Sequence, residues 1–352
     1  MSWAARSGML RGMHTVTFPR PGPAAGDVVA RQTDVVVATH ALTKTFGRGA
    51  AARTAVDRLD LVIPRGVVYG FLGPNGSGKS TTMKLLLGLL TPTSGSVRLF
   101  GSPLDRRHRG ALMARIGSMI EQPPGYGHLT GAENMRLVQR MLGLRQAQVE
   151  RALELVRLTE HRDRLVRTYS MGMKQRLGIA MALAREPELL ILDEPTNGLD
   201  PAGIEEIRNL LMSLAGEGVT VLVSSHLLDE IDRMAGVLGI LSAGRLVFQG
   251  TRAELMRHSV PDLLLVTPRP QAVAPGLLAG LGGTEGAGPA PDGRSVMTPT
   301  QAGVRIHGLA PDAVAELVRR LVAEGVPVHE LRREPQSLED VFMDLTGGAR
   351  VL

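Results

Sequence analysis

A chain of 352 residues is long enough for roughly two domains of ordinary size, each with a core of its own. Hydrophobic residues make up 43% and charged residues 21%, which excludes a disordered tail, and the absence of cysteine excludes a disulfide scaffold, a thiolate zinc site and thiol catalysis. The net charge is +6, carried mostly by arginine since Lys44, Lys79, Lys84 and Lys174 are the lysines, and aromatic residues at 3% are too sparse for single-strand stacking platforms, so no nucleic-acid partner is expected.

Residues 1–34 are rich in Gly, Pro and Arg and hold no apolar stretch resembling a signal peptide. They read as a flexible leader or a misplaced start, with Met13 an alternative first residue. From Val35 to about Gly250 strands and helices alternate, the pattern of an α/β domain. Strand-like Val67–Leu72 leads through a Gly-rich turn into a helix starting near Lys79. Between Glu133 and Thr168 the apolar residues recur at helical spacing (Leu137, Met141, Leu144, then Leu153, Val156, Leu158), so a helical subdomain at about 125–185 is inserted between strands. A further helical run covers Lys174 to Arg185, and Leu189–Leu192 and Val219–Ser224 are short apolar runs of the kind buried in parallel sheets.

After Thr251 the character changes. Leu263–Val266 reads as a strand, residues 268–300 are Pro/Gly-rich, Val314, Leu317, Val318 and Leu321 repeat at helical spacing, Val326–Leu331 reads as a strand, and Ser337–Leu345 as a short helix capped by Gly347. Residues 251–352 are therefore expected to form a small α+β domain. Uncharged apolar runs such as Leu85–Leu90, Leu177–Ala184 and Met234–Leu241 fall far below the ~18 residues needed to cross a bilayer.

Gly73-Pro74-Asn75-Gly76-Ser77-Gly78-Lys79-Ser80 fits the phosphate loop G-x-x-x-x-G-K-[ST], directly after a strand and directly before a helix. Glycines let backbone amides turn inward around phosphates, the following helix adds its positive end, Lys79 reaches the β/γ-phosphates, and the Ser80 hydroxyl is suited to Mg²⁺. Asp193 and Glu194 stand at the end of the apolar run Leu189–Leu192, where one carboxylate can hold Mg²⁺ and the other can orient or deprotonate an attacking water. Ser170 reads as an N-cap whose loop offers free amides to an anion, and His226 follows the strand that ends in Ser224-Ser225.

In this order the motifs resemble the nucleotide-binding subunit of an ABC transporter over about residues 35–250. The resemblance implies a P-loop NTPase fold that binds ATP with Mg²⁺ and hydrolyses it. Phe46 then falls where the family stacks an aromatic ring on adenine, Gly73–Ser80 with the adjoining Thr81 is the Walker A loop, and Ser170 to Met173 with Gly172 is the signature loop. Asp193, as metal residue with Ser80, and Glu194, as catalytic residue, form the Walker B pair; Asn197–Asp200 is the D-loop, with Asp200 in the binding set, and His226 is the catalytic switch histidine. In the Q-loop, Glu121 occupies the glutamine's place and Gln122 lies one residue on. The signature departs from the usual L-S-G-G-Q as Tyr169-Ser170-Met171-Gly172-Met173 but keeps Ser170 and Gly172. Both departures, with the tail from Pro335 to Phe342, resemble the bacterial exporter ATPases of the bacitracin and daunorubicin resistance type.

By that resemblance the partners are a second ATPase subunit, in a homodimer, and a separate transmembrane permease, with the chain peripheral on the cytoplasmic face of the membrane. The competing expectation is a soluble ABC-type ATPase of translation or DNA repair. Translation-type members resemble tandem motors, whereas one Walker A occurs here, and the span from Ser80 to Ser170 has no room for the long coiled coils of repair-type members. A purely regulatory nucleotide binder would be expected to lack Glu194.

Overall fold

The computed structural model describes residues 35–121, 123–257, 259, 261–278, 281, 297–300, 303–307, 309 and 311–346. In chain order the first elements are β1 (Val35–Phe46), β2 (Arg53–Leu59), β3 (Val62–Pro64), β4 (Val68–Leu72), α1 (Lys79–Leu86), β5 (Ser94–Leu99), β6 (Ser102–Pro103), α2 (Arg109–Met113) and β7 (Ile116–Met119). Then come α3 (Gly131–Leu142), α4 (Gln146–Leu155), α5 (Met171–Leu183), β8 (Leu189–Leu192), α6 (Pro201–Gly216), β9 (Thr220–Ser225), α7 (Leu228–Asp232), β10 (Val237–Ser242) and β11 (Arg245–Gly250). The remainder holds α8 (Arg252–Met256), β12 (Asp262–Val266), β13 (Met297–Thr300), β14 (Gly303–Ile306), α9 (Pro311–Ala323), β15 (Glu330–Glu334) and α10 (Leu338–Thr346).

The central sheet runs β11-β10-β4-β9-β8-β7, parallel except for the β10–β11 hairpin. Its middle strands β4, β8 and β9 are buried along their whole length, as strands covered on both faces must be. Alternate residues serve opposite layers. Val68, Leu72, Leu190, Leu192, Val221 and Val223 join the core with α3 to α7, while Tyr69, Phe71, Leu189, Ile191 and Leu222 join the core with α1 and an antiparallel sheet β2-β1-β5-β6 in which β3 also pairs with β1. This mixed α/β architecture is that of a P-loop NTPase. The antiparallel sheet has no counterpart in the sequence reading, because strands such as β5 bury only Val97 and Leu99 and carry little apolar signal.

The helices start on local signals. Thr130 and Glu133 form a capping box at α3, Ser170 caps α5 by accepting from Met173 N at 3.2 Å, and Asp200 caps α6 ahead of Pro201. The helical spacing across 133–168 is only partly realised. α4 ends at Leu155, and the chain from there to Thr168 forms 3₁₀ turns that bury Val156, Leu158 and Val166 against α5 without a third helix.

The third sheet, β13-β14-β12-β15, is antiparallel and closes over α9 around Leu263, Leu265, Val304, Ile306, Leu317 and Leu321. The strand expected at Val326–Leu331 lies instead at Glu330–Glu334. Val326 is buried under Leu321, to whose carbonyl its amide donates at 2.9 Å, so the strand begins only beyond it. α10 follows Ser337 as expected, while its expected cap Gly347 lies outside the described residues. Its Leu338, Val341 and Phe342 belong to the buried cluster of the central sheet, packed beside α8, β10 and β11, and not to the core under the third sheet. Among the described residues no helix is long and apolar enough to cross a membrane.

Candidate nucleotide-binding and hydrolysis site

The phosphate loop leaves the buried strand β4 and ends in α1. Gly73 and Gly78 are required by close backbone approach: a Cβ at Gly73 would lie 2.4 Å from Leu241 O, and one at Gly78, whose φ is +106°, would lie 2.4 Å from Ala55 O. Lys79, 6% exposed, donates from Nζ to Gly73 O at 2.6 Å and to Pro74 O at 3.4 Å, folding the ammonium into the loop. Burial holds its pKa below the usual lysine value, against the opposing pull of Glu194 and Asp193. Ser77 Oγ is buried in the loop without a hydrogen-bond partner, a hydroxyl free to donate. Pro74, Asn75 and Gly76 form the open side of the loop, and Ser80 and Thr81 sit half-buried on the first turn of α1.

The carboxylates arrive from β8, two strands away. Asp193 is 3% exposed, and its Oδ1 accepts from Ser224 Oγ at 2.6 Å. The same Ser224 Oγ accepts from Glu194 N at 2.9 Å, so one hydroxyl from β9 sets both residues. Glu194 itself has φ +50°, a strained conformation for a residue with a side chain and a frequent one at functional sites. Its Oε2 lies 2.6 Å from His226 Nδ1 and its Oε1 lies 3.6 Å from Lys79 Nζ. Lys79, Asp193, Glu194 and His226 thus meet at the carboxyl ends of the middle strands of the parallel sheet.

Phe46 ends β1 with its ring 43% exposed and Lys44 Nζ 5.2 Å from the ring centroid. Across the strand pair it faces Arg53, whose guanidinium reaches to within 4.0 Å of where a Gly76 Cβ would stand. Arg53 thus follows Phe46 across the strand pair and extends toward the phosphate loop. Glu121 has φ +69° and ion-pairs with Lys84 of α1, five residues beyond Lys79. Gln122 lies outside the described residues.

Ser170, Gly172 and Asp200 do not join this cluster. They line a separate cavity of about 490 Å³ together with Arg157, Arg176 and Glu206, and no phosphate-loop residue lines it. Arg176 pairs with Glu206, with Arg157 3.8 Å from the same side chain, and burial holds the Arg176 pKa below its usual value.

Sequence reasoning missed Ser224, Lys84 and Arg53. Ser224 was visible as the residue two before His226, but nothing local marks a strand serine as the partner of carboxylates on the neighbouring strand. Among the described residues no group of three or more His, Asp or Glu side chains gathers to hold a metal alone.

The ABC transporter family model matches residues 56–197. The bacitracin transport ATP-binding protein of Enterococcus faecalis is 38% identical over 320 residues, covering 90% of this chain and 98% of the relative. The daunorubicin/doxorubicin resistance ATP-binding protein of Streptomyces peucetius is 37% identical over 328 residues, 88% of this chain and 92% of its own length. Among solved structures, a dimeric ATP-binding cassette in a post-hydrolysis state bound to ADP and Pi superposes with a TM-score of 0.56 at 27% identity, over 61% of this chain and 98% of the cassette. Likeness over nearly the full length of transport ATP-binding proteins disfavours the soluble translation or repair reading. With a Gly-rich loop, a buried acidic strand end and a histidine joined in one cluster, and relatives matched over 98% and 92% of their length, this chain belongs to the ATP-binding, ATP-hydrolysing subunits of the ABC transporter family.

Proposed function

We propose that the chain powers export of a drug, antibiotic or lipid-like compound through a separate membrane permease, working as a homodimer on the cytoplasmic face. The observation that carries the catalytic half is the placement of the Glu194 carboxylate between Lys79 and His226 at the mouth of the phosphate loop. The transported class is supported by relatives whose names specify bacitracin transport and daunorubicin/doxorubicin resistance.

In this reading Phe46 stacks on adenine, and the amides of Gly73 to Gly78, with Pro74, Asn75, Gly76 and Ser77, wrap the phosphates. Lys79 leaves the Gly73 and Pro74 carbonyls for the β/γ-phosphate oxygens, exchanging neutral acceptors for charged ones. Ser80, next to Lys79, and Asp193, which keeps one carboxylate oxygen not used by Ser224, offer the hard oxygen donors that Mg²⁺ takes, the rest coming from phosphate. When bound, Mg²⁺ supplies neutralisation of the charge that develops on the transferred phosphoryl group. Glu194 orients and deprotonates the attacking water, and His226 holds the Glu194 carboxylate in place and faces the γ-phosphate. Glu121, released from Lys84, contacts the metal region in place of a glutamine. Ser170 and Gly172, with Asp200, close over the nucleotide of the second subunit, which accounts for their distance from their own phosphate loop.

The test is to co-purify the full chain with its membrane partner, reconstitute both in vesicles and measure ATP hydrolysis and uptake of a panel of antibiotics and lipid-like drugs. Drug-stimulated hydrolysis with ATP-driven movement away from the cassette side is the expected result. A partner that is not a membrane protein, or movement in the opposite direction, contradicts the export reading.

A further inference from the structure

Glu230, on α7, belongs to none of the nucleotide motifs, yet it joins two of them. Its Oε2 accepts from Thr196 Oγ1 at 2.6 Å and from Ser225 Oγ at 3.1 Å. Thr196 and Ser225 are 4% and 1% exposed, so neither hydroxyl can exchange this acceptor for bulk water. Ser225 Oγ in turn accepts from Leu227 N at 2.9 Å, which braces the backbone on both sides of His226. On the other strand, Asn197 N donates to Glu194 O at 3.1 Å, so Thr196 lies inside the turn that Glu194 opens. The bond between Glu194 Oε2 and His226 Nδ1 closes a circuit that runs from Glu194 through Thr196, Glu230, Ser225 and His226 back to Glu194.

We propose that Glu230 is a positioning residue for hydrolysis, a strut that fixes the Glu194 carboxylate relative to the His226 imidazole without touching nucleotide. This rests on the catalytic reading of Glu194 given above. β8 and β9 pair along Leu189–Leu192 and Thr220–Val223, and that pairing stops before Glu194 and His226. Just beyond it Ser224 Oγ still ties the two chains, accepting from Glu194 N at 2.9 Å and donating to Asp193 Oδ1 at 2.6 Å, and past that bridge they enter separate turns. Glu230 takes over at that point. A single carboxylate oxygen accepting from one hydroxyl on each side makes the two turns move together. Thr196 also leads directly into Asn197–Asp200, so the same strut carries the D-loop segment.

The role needs an acceptor at this position and not a charge. Glutamine keeps a carbonyl oxygen at the same reach, while methionine keeps the length and approximate volume and removes the acceptor. With the full chain and Mg·ATP, E230M should lower kcat by about tenfold or more and leave the KM for ATP and the affinity for ADP within about threefold of the wild type. E230Q should recover most of the lost turnover. T196V, which removes one hydroxyl from the circuit, should show the same kcat-selective loss, and combining it with E230M should add little, because both break one connection. T196V keeps the proposal open to test if E230M fails to fold.

Wild-type kcat in E230M or T196V overturns the proposal, as does a loss in E230M that E230Q does not recover. A fall in nucleotide affinity that matches the fall in turnover also overturns it, since that is the signature of a general loosening of the site. E194Q measured alongside separates the two layers. If E194Q hydrolyses normally, the catalytic reading fails; if E194Q is inactive while E230M is fully active, the strut alone fails.

Discussion

His226 Nδ1 and Glu194 Oε2 lie 2.6 Å apart, joining the ends of two neighbouring parallel strands directly beside the phosphate loop. In the proposed mechanism the contact does two things: it orients the carboxylate, and it brings an imidazole to the place where charge would develop during phosphoryl transfer. Replacing His226 with Ala should therefore lower kcat by about 10²-fold or more while nucleotide affinity stays within a few-fold. Steady-state hydrolysis with a parallel binding titration checks this, and equal losses in both would remove His226 from the chemical step.

Lys79→Ala addresses binding itself. Nζ is buried among carbonyls and beside Glu194, so the variant leaves the loop without the cation that answers the β/γ-phosphates. Calorimetry should detect no ATP binding at cellular nucleotide concentrations, with the fold intact by circular dichroism. Unchanged affinity would contradict the phosphate-loop assignment.

Contiguous motifs were legible in the sequence because their chemistry is local. Gly73 to Ser80 is defined by backbone conformation and a helix start, and Leu189–Leu192 announces a buried strand whose end must carry Asp193 and Glu194 out of the core. What escaped is what depends on tertiary neighbours. Ser224 bonds Asp193 across 31 positions and Glu230 bonds Thr196 across 34, and neither leaves a local pattern. The short helices α7 and α8 span too few residues for a helical period to stand out. The apolar residues of Ser337–Leu345 did give a helix, yet its apolar face could not reveal which core would receive it.

Phe342 is 1% exposed within the cluster shared with the central sheet, so residues after the third sheet contribute to the stability of the motor. Phe342→Ala should cost about 3–5 kcal/mol of unfolding free energy, read by chemical denaturation. Ending the chain at Gly250 should cost more, since Leu255, Val341 and Phe342 leave the cluster together. A loss below ~1 kcal/mol for Phe342→Ala would mean that α10 is not held in this core.

Glu188 predicts an acid limb of stability. Its carboxylate accepts from Arg115 at 2.8 Å and from Arg65 at 3.0 Å, and chiefly the Arg115 hydrogen bonds hold its pKa down to about 2. A carboxyl group whose folded pKa is depressed contributes stability above its ordinary value, and that contribution disappears as pH falls from about 4.5 toward 2. Glu188→Gln should therefore melt below the wild type at pH 7, and the gap should narrow as pH falls through that window. Because the pair is well exposed, the gap is expected to be small. A gap that persists undiminished at low pH would show that the contacts, and not the charge, matter. Glu188 precedes β8 at the end remote from Glu194, so ATP affinity should not change.

In the proposed mechanism Glu194 performs hydrolysis at a site that binds ATP without it. Glu194→Gln preserves size and an acceptor for His226 but removes the basicity needed to activate water. The decisive measurement is single-turnover hydrolysis of Mg·ATP by this variant, with nucleotide affinity and mass by light scattering on the same sample. Affinity near that of the wild type, a chemical step slowed by about 10²-fold or more, and an ATP-dependent shift from monomer to dimer are the predicted results. Hydrolysis at the wild-type rate would remove Glu194 from the chemical step.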